Sequence, residues 1–170
     1  ISNSIIFKYR FSLLLSLIIL IGIIMLSLLQ RVKMANVSVN NQMIASIEDG
    51  ILAFIAFEPD DSKSKIQKMA KKILNYRIFP DHDDKMNRNI MDMNYELLVV
   101  PQFTLAANTK SGSRPSFSSA ADPILSKDLF SLFLKILKQD YPKIHAGQFQ
   151  ANMQVSLIND GPVTFFLKVD

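Results

Sequence analysis

The chain has 170 residues, 49% of them apolar and 20% charged, which suits one globular domain and leaves no room for two enzyme domains. It contains no cysteine, so disulfides, thiolate metal sites and a cysteine nucleophile are excluded together, in keeping with a reducing compartment. A formal charge of +4 is mildly basic; it tolerates a polyanionic partner without demanding one, and a nucleic-acid surface must be sought in local clusters of Lys and Arg.

Residues 11–29 carry no charge and follow Lys8 and Arg10, a length sufficient for a membrane-spanning helix. The chain nevertheless opens on Ile1, and its first methionine, Met25, lies inside the apolar run. No small-residue cleavage site follows, which argues against a secretory signal. Residues 1–24 are therefore expected to be a non-native or upstream-translated extension, with a membrane anchor as the alternative, and residues 25–170 to form the domain. Residues 25–29 are expected to be its first strand.

Alternation then sets in at Val32, Ala35, Val37 and Val39, followed by Asn40-Asn41 and by Met43, Ile44 and Ile47, the signature of a β-hairpin. The apolar run at 51–57 predicts a buried central strand, broken by Glu58-Pro59-Asp60-Asp61. Ile66, Met69, Ala70, Ile73 and Leu74 then keep helical spacing, with Lys63, Lys65, Lys68, Lys71 and Lys72 mostly on the other face and Asp60 or Asp61 as the cap. Residues 97–100 form a second buried run. Asp122-Pro123 starts a second helix carrying Leu125, Leu129, Leu132, Phe133, Ile136 and Leu137, which Pro142 ends. Val155, Leu157 and Ile158, then Val163, Phe165 and Leu167, read as two closing strands around the turn Asn159-Asp160-Gly161-Pro162. The order is β-rich with two inserted helices, which makes the class α+β.

Several stretches can carry chemistry. Gln102 and Thr104 emerge where a buried strand ends and are placed to face a ligand; the plainer reading is a strand that continues past a bulge at Pro101. Residues 108–117, with Lys110 and Arg114, form a basic loop able to follow a phosphate backbone or simply a surface turn. Asp81-His82-Asp83-Asp84 offers ligand types for a divalent ion, but adjacent residues rarely converge on one ion and a solvated turn is favoured. His145 stands alone. No nucleophile elbow, phosphate loop or dinucleotide fingerprint is present, and no metal site or cofactor is expected.

Five stretches, taken in order, carry a resemblance: Leu29-Gln30-Arg31-Val32; Lys72-Ile73-Leu74-Asn75 with Arg77-Ile78-Phe79; Gln102-Phe103-Thr104-Leu105; Arg114-Pro115-Ser116-Phe117; and Asn159-Asp160-Gly161-Pro162-Val163-Thr164. Together they resemble the D-aminoacyl-tRNA deacylase family, and the match spans residues 25–170. The resemblance implies a cytoplasmic homodimer of small β-barrel-like α+β subunits with two main helices and active sites at the interface. It also implies hydrolysis of the ester joining a D-amino acid, or glycine, to the terminal ribose of aminoacyl-tRNA. Gln102, Phe103 and Thr104 would form the catalytic wall, and Gly161-Pro162 a cis pair inserted into the partner's site, whose carbonyls exclude L side chains. Arg31 would steady that pair, and Phe149 and Met153 would lie near the adenosine pocket.

The family motif usually opens on Ser where this chain has Pro101, so any hydrogen bond from that serine is lost. Two chemistries follow for an ester that is already activated. In the first, the vicinal ribose hydroxyl helps activate water while main-chain donors near Phe103 and Thr104 hold the oxyanion and Gln102 positions the substrate. In the second, Thr104 is an acyl-accepting nucleophile. A reading of another class keeps the fold but makes the chain a membrane-anchored RNA-binding or interaction module that lacks turnover because of Pro101.

Overall fold

The computed structural model describes residues 24–110, 112–117 and 120–170. The extension expected over residues 1–24, and the anchor that is its alternative, lie outside the described residues as far as residue 23. The last part of the apolar run is strand, as expected: β1 spans Met25–Val39. Among the described residues no helix is long and apolar enough to cross a membrane.

Strands β2 (Gln42–Ile47) and β3 (Gly50–Ala56) follow, then helix α1 (Lys63–Asn75) and the short β4 (Phe79–Pro80) and β5 (Met86–Arg88). Next come α2 (Ile90–Met93), β6 (Glu96–Pro101), a 3-10 turn (Phe103–Ala106), α3 (Pro123–Asp140), β7 (Ile144–Ala146) and β8 (Met153–Val169). The expected hairpin closes at Asn40 and Asn41, both at positive φ (50° and 63°), the pairing that a two-residue turn between twisted strands requires and that asparagine tolerates.

Strand β1 organises the sheet. One of its edges pairs with β3 from Leu26↔Ala56 to Val32↔Gly50 and then with β2 from Ala35↔Ile47 to Val39↔Gln42. Its other edge pairs with β8 along nearly its whole length. Parallel pairings add β6 to β3 and β7 to β6, and α1 and α3 supply the long crossovers that parallel neighbours need. The sheet is nearly closed and barrel-like. Alternation on β3 and β6 feeds two cores: Ile51, Ala53, Ile55, Leu97 and Val99 pack under the helices, while Leu52, Leu98 and Val100 meet Val32, Ala35, Val37 and Ile47 on the concave side. Met153, Val155 and Leu157 of β8 pack against that second core.

The apolar stripe of α1 is buried as its spacing predicts, at Ile66, Met69, Ala70, Ile73 and Leu74. The cap differs from expectation. Ser62 accepts from the Lys65 amide at 3.3 Å, because the chain turns back at 58–61 and the Asp61 carboxylate is spent inside that turn, accepting from the Glu58 amide at 2.9 Å. Helix α3 is capped by Asp122 ahead of Pro123, as read from the sequence.

The largest correction concerns the end of the chain, where two strands around a turn were expected. Residues 153–169 form one strand, β8. Gln30 pairs with Thr164 and Val32 with Asn159, so residues 160–163 bulge outward opposite Arg31 alone. Asn, Asp, Gly and Pro are turn formers, but here β1 runs unbroken alongside and holds both arms in line.

Candidate active site

The Gln102 amide donates to the Ile55 carbonyl at 2.8 Å, which fixes the chain leaving β6 against the end of β3. A 3-10 turn begins at once, and the Leu105 and Ala107 amides donate back to the Gln102 and Thr104 carbonyls, each at 3.2 Å. The amides of Phe103 and Thr104 open the turn, so no carbonyl within it accepts from them. The Gln102 side-chain amide donates to the Thr104 hydroxyl, joining the two polar side chains of this segment.

This segment forms one wall of a cleft of about 510 Å³. Pro101, Gln102 and Phe103 lie on one side and Phe149 to Met153 on the other, with Ile55, Phe57 and Val100 beneath. Phe149 is set by its packing against the Phe130 ring, 6.1 Å between centroids. Gly147 allows the walls to approach, since a Cβ there would stand 2.8 Å from Met153 Sδ and 3.6 Å from Pro101 Cδ. Pro101 is thus the last residue of β6 and packs toward Gly147 in place of offering a hydroxyl. Phe103 is 59% exposed at the rim and leans on Phe117, 5.1 Å between ring centroids. Lys110 and Arg114 lie in the same loop as Phe117.

None of the described residues lining the cleft is ionisable. The displaced titrations lie elsewhere. Burial pushes the Asp61 carboxyl up, partly offset by the Glu58 amide and Lys65, and burial followed by the Asp61 charge pushes Glu58 up. Hydrogen bonds from the Asn87 side chain, then from the Lys85 amide, hold Asp81 below the usual carboxylate range. The arrangement offers a largely apolar cleft bordered by the start of a 3-10 turn, whose first main-chain N–H groups are of the kind able to stabilise an oxyanion without a side-chain acid.

Arg31, Gly161 and Pro162 form a second constellation. Arg31 Nε lies 3.2 Å from the Asp160 carbonyl and 3.0 Å from its Oδ2, and Nη1 donates to the Ile78 carbonyl at 2.8 Å. Asn159 clamps the bulge from within: its Oδ1 accepts from the Val163 amide at 2.8 Å and its Nδ2 donates to Thr164 Oγ1 at 3.0 Å. The Gly161-Pro162 peptide bond is cis, and Gly161 sits at φ +133°. A Cβ on Gly161 would meet Val163 Cγ2 at 2.7 Å and Val163 N at 3.0 Å, so only glycine fits.

Gln102, Phe103, Phe149 and Met153 therefore line one cleft with Thr104 bonded at its edge, while Arg31, Gly161 and Pro162 stand apart from it. On β1 the cleft floor lies opposite Ser27, which pairs with Ile55; Arg31 is four residues further on, about 13 Å at strand rise. Sequence reasoning gave no role to Asn159, Asp160 or Gly147. The first two were visible inside the quoted motif, whereas Gly147 carried no signal at all. Asp81, His82 and Asp83 group their ligand atoms, but in the turn between β4 and β5, where Asp81 accepts from the Asp83 and Lys85 amides and from Asn87. His145 sits 3.0 Å from Glu96 at the start of β6, and the cleft opens at the other end of that strand.

The chain is similar throughout this region to known proteins. The family model described as D-Tyr-tRNA(Tyr) deacylase matches residues 28–168. A D-aminoacyl-tRNA deacylase of Francisella tularensis subsp. novicida is 51% identical over 145 residues, covering 85% of this chain and 100% of the relative. One of Pseudomonas aeruginosa (strain UCBPP-PA14) is 49% identical over 144 residues, covering 85% and 99%. Among solved structures, the c-Myc DNA Unwinding Element Binding Protein superposes with a TM-score of 0.81 at 36% identity, over 84% of this chain and 97% of that one. A structure described as a probable eukaryotic D-amino acid tRNA deacylase shares the fold at TM-score 0.74 and 16% identity, over 85% and 99%.

Proposed function

The chain belongs to the D-Tyr-tRNA(Tyr) deacylase family, and from that membership we propose how its residues carry out the hydrolysis of D-aminoacyl-tRNA. The protein is a hydrolase that releases the free D-amino acid and tRNA. The observation that carries the proposed mechanism is a cleft whose described lining holds no ionisable side chain and includes Phe103, the residue at which the 3-10 turn begins. Water attacks the ester carbonyl carbon, and the developing oxyanion is held by the amides of Phe103 and Thr104. The vicinal ribose hydroxyl helps to activate the water, and the departing ribose oxygen takes up a proton as the ester C–O bond breaks. Gln102, joined to Thr104, positions the substrate; Phe149 and Met153 receive the terminal adenosine.

The Gly161-Pro162 pair acts on the site of a second copy of the chain. Two observations support this: Gly161 and Pro162 are exposed, and they are not among the residues lining their own subunit's cleft. Exposed apolar side chains such as Phe103 and Phe166, 59% and 47% exposed, give a homodimer surface to bury. Main-chain carbonyls presented by the bulge would then clash with an L side chain, so selectivity comes from exclusion and many D-amino acids are accepted. Glycine has no side chain to exclude, so glycyl-tRNA passes the same filter. Such an activity belongs in the cytoplasm, where aminoacyl-tRNA is made, and residues 1–24 are dispensable for it. Relatives about 50% identical are named deacylases, which favours turnover over an anchored binding module.

The test is direct. Protein beginning at Met25 should release D-tyrosine from D-tyrosyl-tRNA, spare L-tyrosyl-tRNA, and sediment as a dimer. Equal hydrolysis of both enantiomers, or full activity from a monomer, would refute the proposed filter.

A further inference from the structure

Helix α1 is charged with one sign only. Of the seventeen Lys and Arg from residue 24 onward, six lie between 63 and 77 with no Asp or Glu among them; the rest of that length carries eleven against fifteen acids. Helix α3 mixes Lys127, Lys135 and Lys138 with Asp128 and Asp140. The basic excess of the domain is therefore concentrated on one helix and the residues just after it.

Local stability does not explain this. Lys65 faces the Asp61 carboxylate at 3.9 Å, but Lys63 stands in a first turn that holds no acidic residue, where the helix dipole favours anions. Lys68 and Lys72 are four residues apart, and Lys68 lies three from both Lys65 and Lys71, spacings at which like charges repel. A helix face that met only water would gain by alternating sign.

The position of the helix supplies a reason. Lys63, Gln67 and Lys71 form one row along its exposed side and Lys68 and Lys72 the next, over a length of about 20 Å for thirteen residues. At the C-terminal end the chain continues through Tyr76, whose ring packs on Phe165 at 5.2 Å, and through exposed Arg77 to Ile78, whose carbonyl accepts from Arg31. Arg31 in turn holds Asp160 of the bulge. The lysine rows thus lead to the residues proposed to reach the reacting ester. Two of the lysines also tie the fold together, since Lys68 and Lys72 donate to the Asp170 and Lys168 carbonyls at 3.2 and 2.8 Å and bind the end of β8 to the helix.

We propose that the exposed face of α1, with Lys63, Lys71 and Arg77 as its contacts, is a track for the sugar-phosphate backbone of the tRNA acceptor stem. This rests on the deacylase reading above. Lysines aligned on a helix meet phosphates and read no bases, so the track supplies affinity without choosing among sequences.

The experiment compares Lys63→Gln/Lys71→Gln with Lys135→Gln/Lys138→Gln on α3, leaving Lys68 and Lys72 in place. Hydrolysis of D-tyrosyl-tRNA and of the D-tyrosyl ester of adenosine is followed between about 50 and 200 mM salt. The α1 variant should raise KM for D-tyrosyl-tRNA roughly 5- to 20-fold at low salt with kcat unchanged, and reduce the log–log salt slope by about 1 to 2. Its KM for the adenosine ester and both constants of the α3 variant should stay as they are. An unchanged KM and slope for D-tyrosyl-tRNA, equal damage to both substrates, or an equal effect from α3 would overturn the track. If the α1 double variant does not fold, Lys71→Gln alone is measured in the same way. If unaltered protein hydrolyses neither substrate, the deacylase reading falls, and binding of uncharged tRNA decides the track: weakening by the α1 change alone supports it, and equal binding overturns it.

Discussion

Arg31 meets Asp160 twice, with Nε 3.2 Å from the backbone carbonyl and 3.0 Å from the carboxylate. The same guanidinium reaches the Ile78 carbonyl, so one side chain, 13% exposed, joins β1, the segment after α1 and the bulge of β8. Arg31→Ala should cost about 2–3 kcal/mol, since it removes charge-assisted bonds in a partly buried setting. Arg31→Lys should recover little, because an ammonium lacks the planar fork that points two ways. Urea unfolding measures both, and a loss below about 1 kcal/mol for the alanine variant would show that the bulge stands without its tether.

Gly161→Ala forces a Cβ to within 2.7 Å of Val163 Cγ2 at φ +133°. A residue held in that region costs on the order of 1–3 kcal/mol, and relief requires the bulge to move. The expected outcome is a fold retained by circular dichroism with D-tyrosyl-tRNA turnover reduced at least tenfold or D-over-L preference weakened. Wild-type turnover and selectivity together would mean that the bulge plays no part in either.

Thr104→Ala separates the two chemistries. A threonine nucleophile needs a base to take its proton, and none of the described cleft residues is ionisable; the hydroxyl instead accepts from Gln102. The substitution should therefore cost about 10- to 100-fold, roughly 1–3 kcal/mol, while replacing the vicinal ribose hydroxyl in the substrate costs more. An acyl-enzyme trapped on Thr104 would reverse the assignment.

Asp61 sets a pH dependence. Its side chain is buried, with Oδ1 3.9 Å from Lys65 Nζ but without a hydrogen-bond partner, and burial, partly offset by the Glu58 amide and Lys65, raises its proton affinity in the folded protein. The folded state therefore binds the proton more tightly than the unfolded chain. Stability from this group is greatest at low pH and is lost as pH rises through the raised folded value. Asp61→Asn keeps an acceptor for the Glu58 amide and removes the charge, so melting temperature should be equal or higher near neutrality and should fall less as pH rises above the ordinary carboxylate range. A variant that melts lower at neutral pH would show that the charge is needed.

The helices and cores were legible because their signals are periodic: Ile66, Met69, Ala70, Ile73 and Leu74 each lie buried as spacing demands, and Asp122-Pro123 opens α3. Composition misled where the partner strand decides. Nothing in Asn159-Asp160-Gly161-Pro162 distinguishes a reversal from a bulge, since that choice belongs to β1 pairing on both sides of Arg31. The cap of α1 was missed by one residue for a related reason, because burial claimed Asp61 and left Ser62 to the helix. The cleft was legible only as scattered motifs. Gln102 and Phe149 come together through the parallel register of β3, β6 and β7, a long-range relation that no local pattern carries.

Strand β8 carries Met153 and Val155 into the cleft and, a few residues later, the bulge. One stretch of backbone thus acts as a ruler between pocket and filter, and its length is counted in residues. Inserting a single residue at 156–158 would turn every following side chain to the opposite face and offset the filter from the pocket. Along β8 the chain is therefore held to a fixed count of residues between Val155 and Gly161.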